Sequence, residues 1–204
     1  VETMVLESTS WSGTRQLTPN VSLALIASTL TASGDEIVTN GMTVDASSTL
    51  RSANTASGSL SVAVARTIAL DGSVQTGSLR VSANRLEMGV GSTMTTPDAL
   101  MMTLESFVLR GSIACGSAEL LAQDLSVQST GSLEAVGRLS NGGRTMQIDG
   151  GRVTCTNRTC EMWLRTTSSA ILTGAANVTA SALSLAASEL SMQGTSCLLY
   201  TSDA

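Results

Sequence analysis

Apolar residues recur along this chain in short pairs spaced two apart: Ile68/Leu70, Leu86/Met88, Phe107/Leu109, Leu125/Val127, Met146/Ile148, Ala170/Leu172 and Leu190/Met192. A spacing of two puts both side chains on one face of a β-strand. Just after each pair comes a small dipeptide led by Gly: Gly72-Ser73, Gly91-Ser92, Gly111-Ser112, Gly131-Ser132, Gly151-Arg152, Gly174-Ala175 and Gly194-Thr195. The successive Gly separations are 19, 20, 20, 20, 23 and 20. A single aliphatic follows most of them, namely Val74, Met94, Ile113, Leu133 and Val153. A third series opens each period: Leu60/Val62, Leu79/Val81, Leu100/Met102, Leu120, Leu139, Met162/Leu164 and Leu183/Leu185. Before residue 58 the register is looser, and Gly34 and Ser47-Ser48 are weaker markers.

Three apolar series keeping one period, separated by Gly, Ser, Asn and Asp, predict three short strands and three turns per repeat. No segment carries a 3.6-residue stripe long enough for a helix. The expected fold is therefore all-β, a parallel β-helix or β-solenoid with coils of about 20 residues. Its coils stack as parallel strands about 4.8 Å apart. A lone coil buries too few side chains to offset the entropy of ordering it, so stability comes from stacking, and an uncapped end exposes a strand edge prone to aggregation. Residues 1–57 are expected to form irregular coils, or a segment near a cap, of the same solenoid that becomes regular over 58–196. The separation of 23 marks an insertion of about three residues at Cys155-Thr156-Asn157-Arg158-Thr159-Cys160, where a loop is expected to bulge from its coil.

Composition fits a narrow repeating core. Aromatic residues are 2 % of the 204, with one Phe, one Tyr and two Trp, while the chain is 42 % hydrophobic. Large globular cores draw heavily on aromatics, and disordered tracts are less apolar than this. Ser and Thr make up about a quarter of the chain. The net charge is −5, and the 11 basic residues are scattered Arg, which argues against nucleic-acid binding. No apolar run approaches the roughly 20 residues of a membrane-spanning helix. The sequence opens at Val1 with neither Met nor a signal-peptide pattern, so the natural N-terminus is expected upstream. The last eight residues, Cys197 to Ala204, resemble the translation of a transposon-end adapter used in preparing sequencing libraries. They break the repeat and supply the single Tyr, so 197–204 is read as a non-native tail.

The chemistry-bearing residues are few. With no His there is no Ser-His-Asp or Cys-His arrangement, and with no Lys no Walker A loop, Schiff base or Ser-Lys dyad. Paired carboxylates could still serve a glycosidase or lyase. Asp35 and Glu36 are adjacent, however, and so point to opposite faces; Asp71 and Asp149 precede turn glycines; and Glu87, Glu105, Glu119, Glu134, Glu161 and Glu189 fall about one per coil, as on a solvated exterior. No catalytic residue, cofactor or metal site is expected. Cys155 and Cys160 could bridge the inserted loop in an oxidising compartment. Alternatively, Cys115 and Cys155 share one inward position with Ala135 between them, a buried-thiol ladder two coils apart and too far to bond to each other. A zinc site lacks His and a second C-x-x-C pair. Sequons occur at Asn20, Asn157 and Asn177, with Asn157 best placed on the inserted loop. Trp163, between Met162 and Leu164, is turned outward by alternation, where an exposed aromatic could contact a sugar or a partner. Thr154/Thr156 is isolated, and Thr93, Thr95 and Thr96 have no counterpart one period later, so the register does not give the flat Thr-aligned face that ice binding needs.

Segments such as Gly77-Ser78-Leu79-Arg80-Val81-Ser82-Ala83-Asn84-Arg85-Leu86 and Thr130-Gly131-Ser132-Leu133-Glu134-Ala135-Val136-Gly137 resemble coils of large secreted β-solenoids. The likeness is to haemagglutinin-type adhesins and pectin-lyase-like right-handed β-helix proteins, and it spans residues 58–196. It implies export or cell-surface display, a long rod, and contact with a surface polysaccharide or protein partner. The expectation is a structural or adhesive rod segment without catalysis. The alternatives are part of a carbohydrate-active β-helix enzyme, which needs two carboxylates, or a carboxylate and an Arg, on one lateral groove, and, third, an ice-binding solenoid.

Overall fold

A computed structural model describes residues 2–13, 21–32 and 36–200. Asn20, Gly34, Asp35 and 201–204, which figure in the sequence reading, lie outside the described residues. Nineteen strands and no helix occur among the described residues, and every strand pairing is parallel. The chain winds as a β-solenoid of about nine turns. Each coil has three faces, here called A, B and C in the order in which the coil beginning at Leu60 runs through them. In mid-chain the three run on almost without a break: Thr93–Leu109, Ser112–Val127 and Ser132–Asp149 each bend around all or most of a coil.

The three apolar series are the three inward ladders. On face B, Ile68, Leu86, Phe107, Leu125, Met146, Ala170 and Leu190 stand in one register column and Leu70, Met88, Leu109, Val127, Ile148, Leu172 and Met192 in the next. On face C the single aliphatic is one rung of the column Trp11, Leu30, Leu50, Val74, Met94, Ile113, Leu133, Val153, Val178 and Leu198. The strands within residues 2–13, 21–32 and 36–52 thus belong to the same ladders and are shorter, and Cys197–Tyr200 pairs in parallel with Asn177–Ala180. On face A the column Leu60, Leu79, Leu100, Leu139, Met162 is completed by Ala118, and the column Val62, Val81, Met102, Leu120, Leu164 by Asn141. Those two residues are the gaps in the third sequence series. The narrow core fills with aliphatic side chains, Phe107 among them at zero exposure.

The turn between faces B and C explains the glycines. The residue just before face C is Thr9 in the first described coil and Gly, Ser or Ala in the nine that follow: Ser28, Ser48, Gly72, Ser92, Gly111, Gly131, Gly151, Ala176 and Ser196. A Cβ at Gly131 would stand 2.3 Å from the Leu109 carbonyl oxygen, and one at Gly72 equally close to two carbonyl oxygens of the preceding coil. No real side chain tolerates such an approach. Ser fits because its hydroxyl can bond to the carbonyls it meets, as Ser92 does to Gly89 at 2.7 Å and Ser28 to Ile26 and Leu6. Gly91 and Gly174 are not on this column. They sit one and two residues earlier in the turn, with φ of +83° and +65°, a backbone region that favours Gly. The coil from Gly151 to Ala176 is therefore 25 residues, not 23, and three of the extra residues lie in the stretch after Cys155. Five residues, Thr156 to Cys160, connect face C to face A there, against Val136 and Gly137 in the coil before.

One inward position conflicts with its surroundings. Asn141 is 3 % exposed between Leu120 and Leu164, and neither its amide nitrogen nor its oxygen has a partner in the protein. An unpaired buried amide costs about 1–3 kcal/mol. Asn141→Leu should extend the Leu120–Leu164 column and raise the midpoint of thermal unfolding followed by circular dichroism. Gly143→Ala should lower it, since its Cβ would fall 1.8 Å from the Ala122 carbonyl oxygen. An Asn141→Leu variant less stable than the parent would mean that this amide has an unrecognised partner.

Candidate functional site

Face A carries the features of interest on its outer side. Along the corner where face A turns into face B runs an open groove lined by Val64, Ala65, Ser82, Asn84, Thr103, Glu105, Leu121, Gln123, Gly142, Gly143 and Thr167, among others. These residues come from six consecutive coils, so the groove is roughly 24 Å long. Its polar side chains are exposed Ser, Thr, Asn and Gln with a single carboxylate, Glu105. Gly142 and Gly143 keep the floor low, and Leu121 stands 47 % exposed beside them. One residue beyond Gln123 and Gly143, Asp124 and Arg144 form a salt bridge of 2.7 Å, and Thr145 donates a hydrogen bond of 2.7 Å to Asp124. The Arg144 guanidinium and the Thr145 hydroxyl hold the Asp124 carboxyl below the ordinary Asp value. That carboxylate is committed to its neighbours and cannot act as a general acid near neutral pH. The remaining once-per-coil glutamates, Glu87, Glu119, Glu134, Glu161 and Glu189, point outward, and Glu87 pairs with Arg85. Among the described residues no three His, Cys, Asp or Glu side chains group as metal ligands.

Trp163 is outward and half-buried on face A, as alternation requires, between the inward Met162 and Leu164. Its indole is not bare. The guanidinium of Arg138, on the preceding coil, lies 5.2 Å from the ring centroid, and that of Arg165, two residues along the same strand, lies at 5.0 Å. Arg138 is in register with Glu161, two positions before Trp163, so the two Arg reach the ring from opposite directions along the strand. Arg165 is in register with Gly142, a groove residue, and so stands at the groove's downstream end. Sequence alternation alone could place Trp163 outside; the Arg138 contact depends on coil-to-coil register and was not legible from spacing.

Beside this stack, Cys155 and Cys160 are joined by a disulfide with a Cα–Cα distance of 5.6 Å. Cys115 and Cys155 do share an inward column with Ala135 between them, but Cys155 is bridged and not a thiol, so the column is not the buried-thiol ladder. Cys115 is a free buried thiol, and its Sγ contacts the Glu134 carbonyl at 3.3 Å. Burial, with the Glu134 charge adding to it, pushes this thiol up to about 12. Asn157 sits on the exposed bridged loop, which Ser181 ties to the next coil through a 3.0 Å hydrogen bond to the Asn157 carbonyl. Asn177 is half-buried on face C, and the Thr179 hydroxyl of its own sequon donates to its side-chain oxygen at 2.7 Å. Face C also displays Ser or Thr in seven successive rungs, Ser10, Thr29, Thr49, Ser73, Thr93, Ser112 and Ser132. The parallel outer column is broken by Arg51, Gln75, Ala114 and Glu134, so paired Thr-x-Thr rungs occur only at Thr29/Thr31 and Thr93/Thr95. No helix among the described residues is long and apolar enough to cross a membrane.

The fold places the chain in the class of parallel β-solenoids. No family model, curated protein or solved structure matches it.

Two outcomes follow from the cysteines. Reduction of Cys155–Cys160 releases a small loop and should cost about 2 kcal/mol of stability on the chain-entropy account, read as a lower denaturant midpoint in dithiothreitol. Cys115 should resist iodoacetamide at pH 8 in the folded protein and react on unfolding, counted by mass spectrometry. An unfolded thiol ionises near 9.0 whereas the folded one does so only near 12, so this group's contribution to stability is intact below pH 9 and is lost as pH rises towards 12. Rapid native labelling of Cys115 would contradict its burial.

Proposed function

We propose that this chain is a structural or adhesive rod segment of a large extracellular or cell-surface protein, whose face A meets a polysaccharide or protein partner without transforming it. The observation that carries the reading is the groove. It crosses six coils, offers mostly uncharged hydrogen-bonding side chains and one carboxylate, and the strand that supplies its last residue, Thr167, also carries Trp163 and Arg165 of the aromatic–Arg stack. Such a surface can hold an extended chain by many weak contacts, and a rigid stack of coils keeps those contacts in line. The Cys155–Cys160 bridge and the exposed Asn157 sequon support export, since disulfides persist in oxidising compartments.

One observation favours a carbohydrate-active enzyme as the second reading: Glu105 in the groove, with the Asp124–Arg144 pair at its rim, is a carboxylate and an Arg on one lateral groove. Against it, acid–base glycoside chemistry calls for one carboxyl with a raised pKa, and Asp124 is shifted the other way.

Incubation of the protein with a panel of neutral and acidic polysaccharides separates the two. Retention in affinity electrophoresis with no release of reducing ends or unsaturated products supports the rod. Release that disappears in Glu105→Gln would replace the rod by the enzyme reading, and no retention on any polysaccharide would remove the polysaccharide partner.

A further inference from the structure

Resting on the adhesive reading, we infer that the Arg138–Trp163–Arg165 stack on face A is a binding site for the acidic groups, carboxylate or sulfate, of a polysaccharide chain lying along the groove. A bare outward Trp would stack on neutral sugar rings. Here two guanidinium groups lie 5.2 and 5.0 Å from the ring centroid, so a ligand meets cations and N–H donors there, while the indole also opens on a pocket lined by Glu161, Ala182, Leu183 and Ser184. Both Arg are exposed, and among the described residues neither takes part in a salt bridge or a side-chain hydrogen bond. Stacking on the indole restrains the guanidinium planes while leaving their N–H edges open, and a restrained planar fork suits carboxylate and sulfate oxygens. The two heads lie no further apart than their combined distances to the ring, close enough for successive charges of one polyanion.

The neighbourhood is mixed. Arg158 is exposed on the bridged loop that leads into face A. Glu161, in register with Arg138, opposes it without forming an ion pair, and Glu119 stands two coils back along the Trp163 column. In a chain of net charge −5, two of the 11 Arg meet at one aromatic here. A flat sheet beside an open groove admits an extended chain, and it is this placement that favours a polysaccharide over an acidic peptide.

The test uses the whole chain as a Trp11→Phe variant, so that Trp163 is the one remaining tryptophan reporter. Its emission is titrated with a polyuronate, dextran sulfate, neutral dextran of matched length and poly-aspartate. The expected result is a saturable emission change with a polyuronate or dextran sulfate, the tighter of the two identifying the acidic group. It should weaken with added salt and fall at least about tenfold in Arg138→Gln/Arg165→Gln, whose thermal midpoint should stay close to the parent's. Single variants should each lose part of it. Equal binding of neutral dextran, unaffected by the double variant, would overturn the inference while leaving the adhesive reading in place. Equal or tighter binding of poly-aspartate would overturn it in favour of a protein partner. No binding of any saccharide would overturn it and remove the polysaccharide partner from the adhesive reading, leaving the structural rod.

Discussion

Each coil of this protein must lie one strand spacing, about 4.8 Å, from the coil before it around most of its circumference, because that is the distance at which parallel backbones exchange hydrogen bonds. Most other features follow from this constraint. Side chains at one position of successive coils stack directly on one another, so the core is a set of columns rather than a three-dimensional jigsaw. An aliphatic in one coil calls for an aliphatic or a small residue above it, as the Leu60-to-Met162 column illustrates with Ala118 in its midst. Where the backbone bends sharply from face B to face C, carbonyl oxygens occupy the space of a Cβ at Gly72, Gly111, Gly131 and Gly151, and the coils after the first described one carry only Gly, Ser or Ala there.

The same constraint decides where variation can be placed. Residues cannot be inserted within a paired strand without breaking its register, so extra length leaves the stack at corners. The Thr156-to-Cys160 connection does this, its disulfide closes the loop at the fully buried Cys160, and pairing resumes at Glu161. Outward positions are free of the packing rule, and they differ from coil to coil. That freedom lets face A carry a polar groove and, at one end, an indole flanked by Arg from two coils. Any recognition by this rod is therefore expected on face A and its corners, while the inward columns serve stability alone.

Columns also make polar errors conspicuous. Thr76, inward on face C, satisfies its hydroxyl on the Gly58 and Ser78 carbonyls at 2.9 and 3.0 Å, because a corner carbonyl is within its reach. Asn141 sits mid-strand, where every backbone group is already engaged in the parallel ladder, and its amide is left without a partner. Nearness to a corner is not sufficient by itself, since Thr96, one coil on from Thr76 at the same inward position, is fully buried with its hydroxyl unpaired.

Fold class and period were legible in the residues because a column repeats its demand every coil, so the same apolar spacing recurs at Ile68/Leu70, Leu86/Met88 and Phe107/Leu109. The shared inward position of Cys115, Ala135 and Cys155 and the loop after Cys155 were readable for the same reason. The Gly series was readable only to within a residue or two, since Gly91 and Gly174 serve turn conformation while Gly72, Gly111, Gly131 and Gly151 serve close approach, and one-letter identity does not separate those roles. What the tertiary structure alone decided lies on the outside. The groove draws on six coils, and Arg138 meets Trp163 across a coil boundary 25 residues away in sequence. Local alternation fixes which way a side chain points, because strand geometry is short-ranged. Which outward side chains become neighbours depends on register between coils, and that is set by turns and insertions whose lengths the apolar pattern does not record.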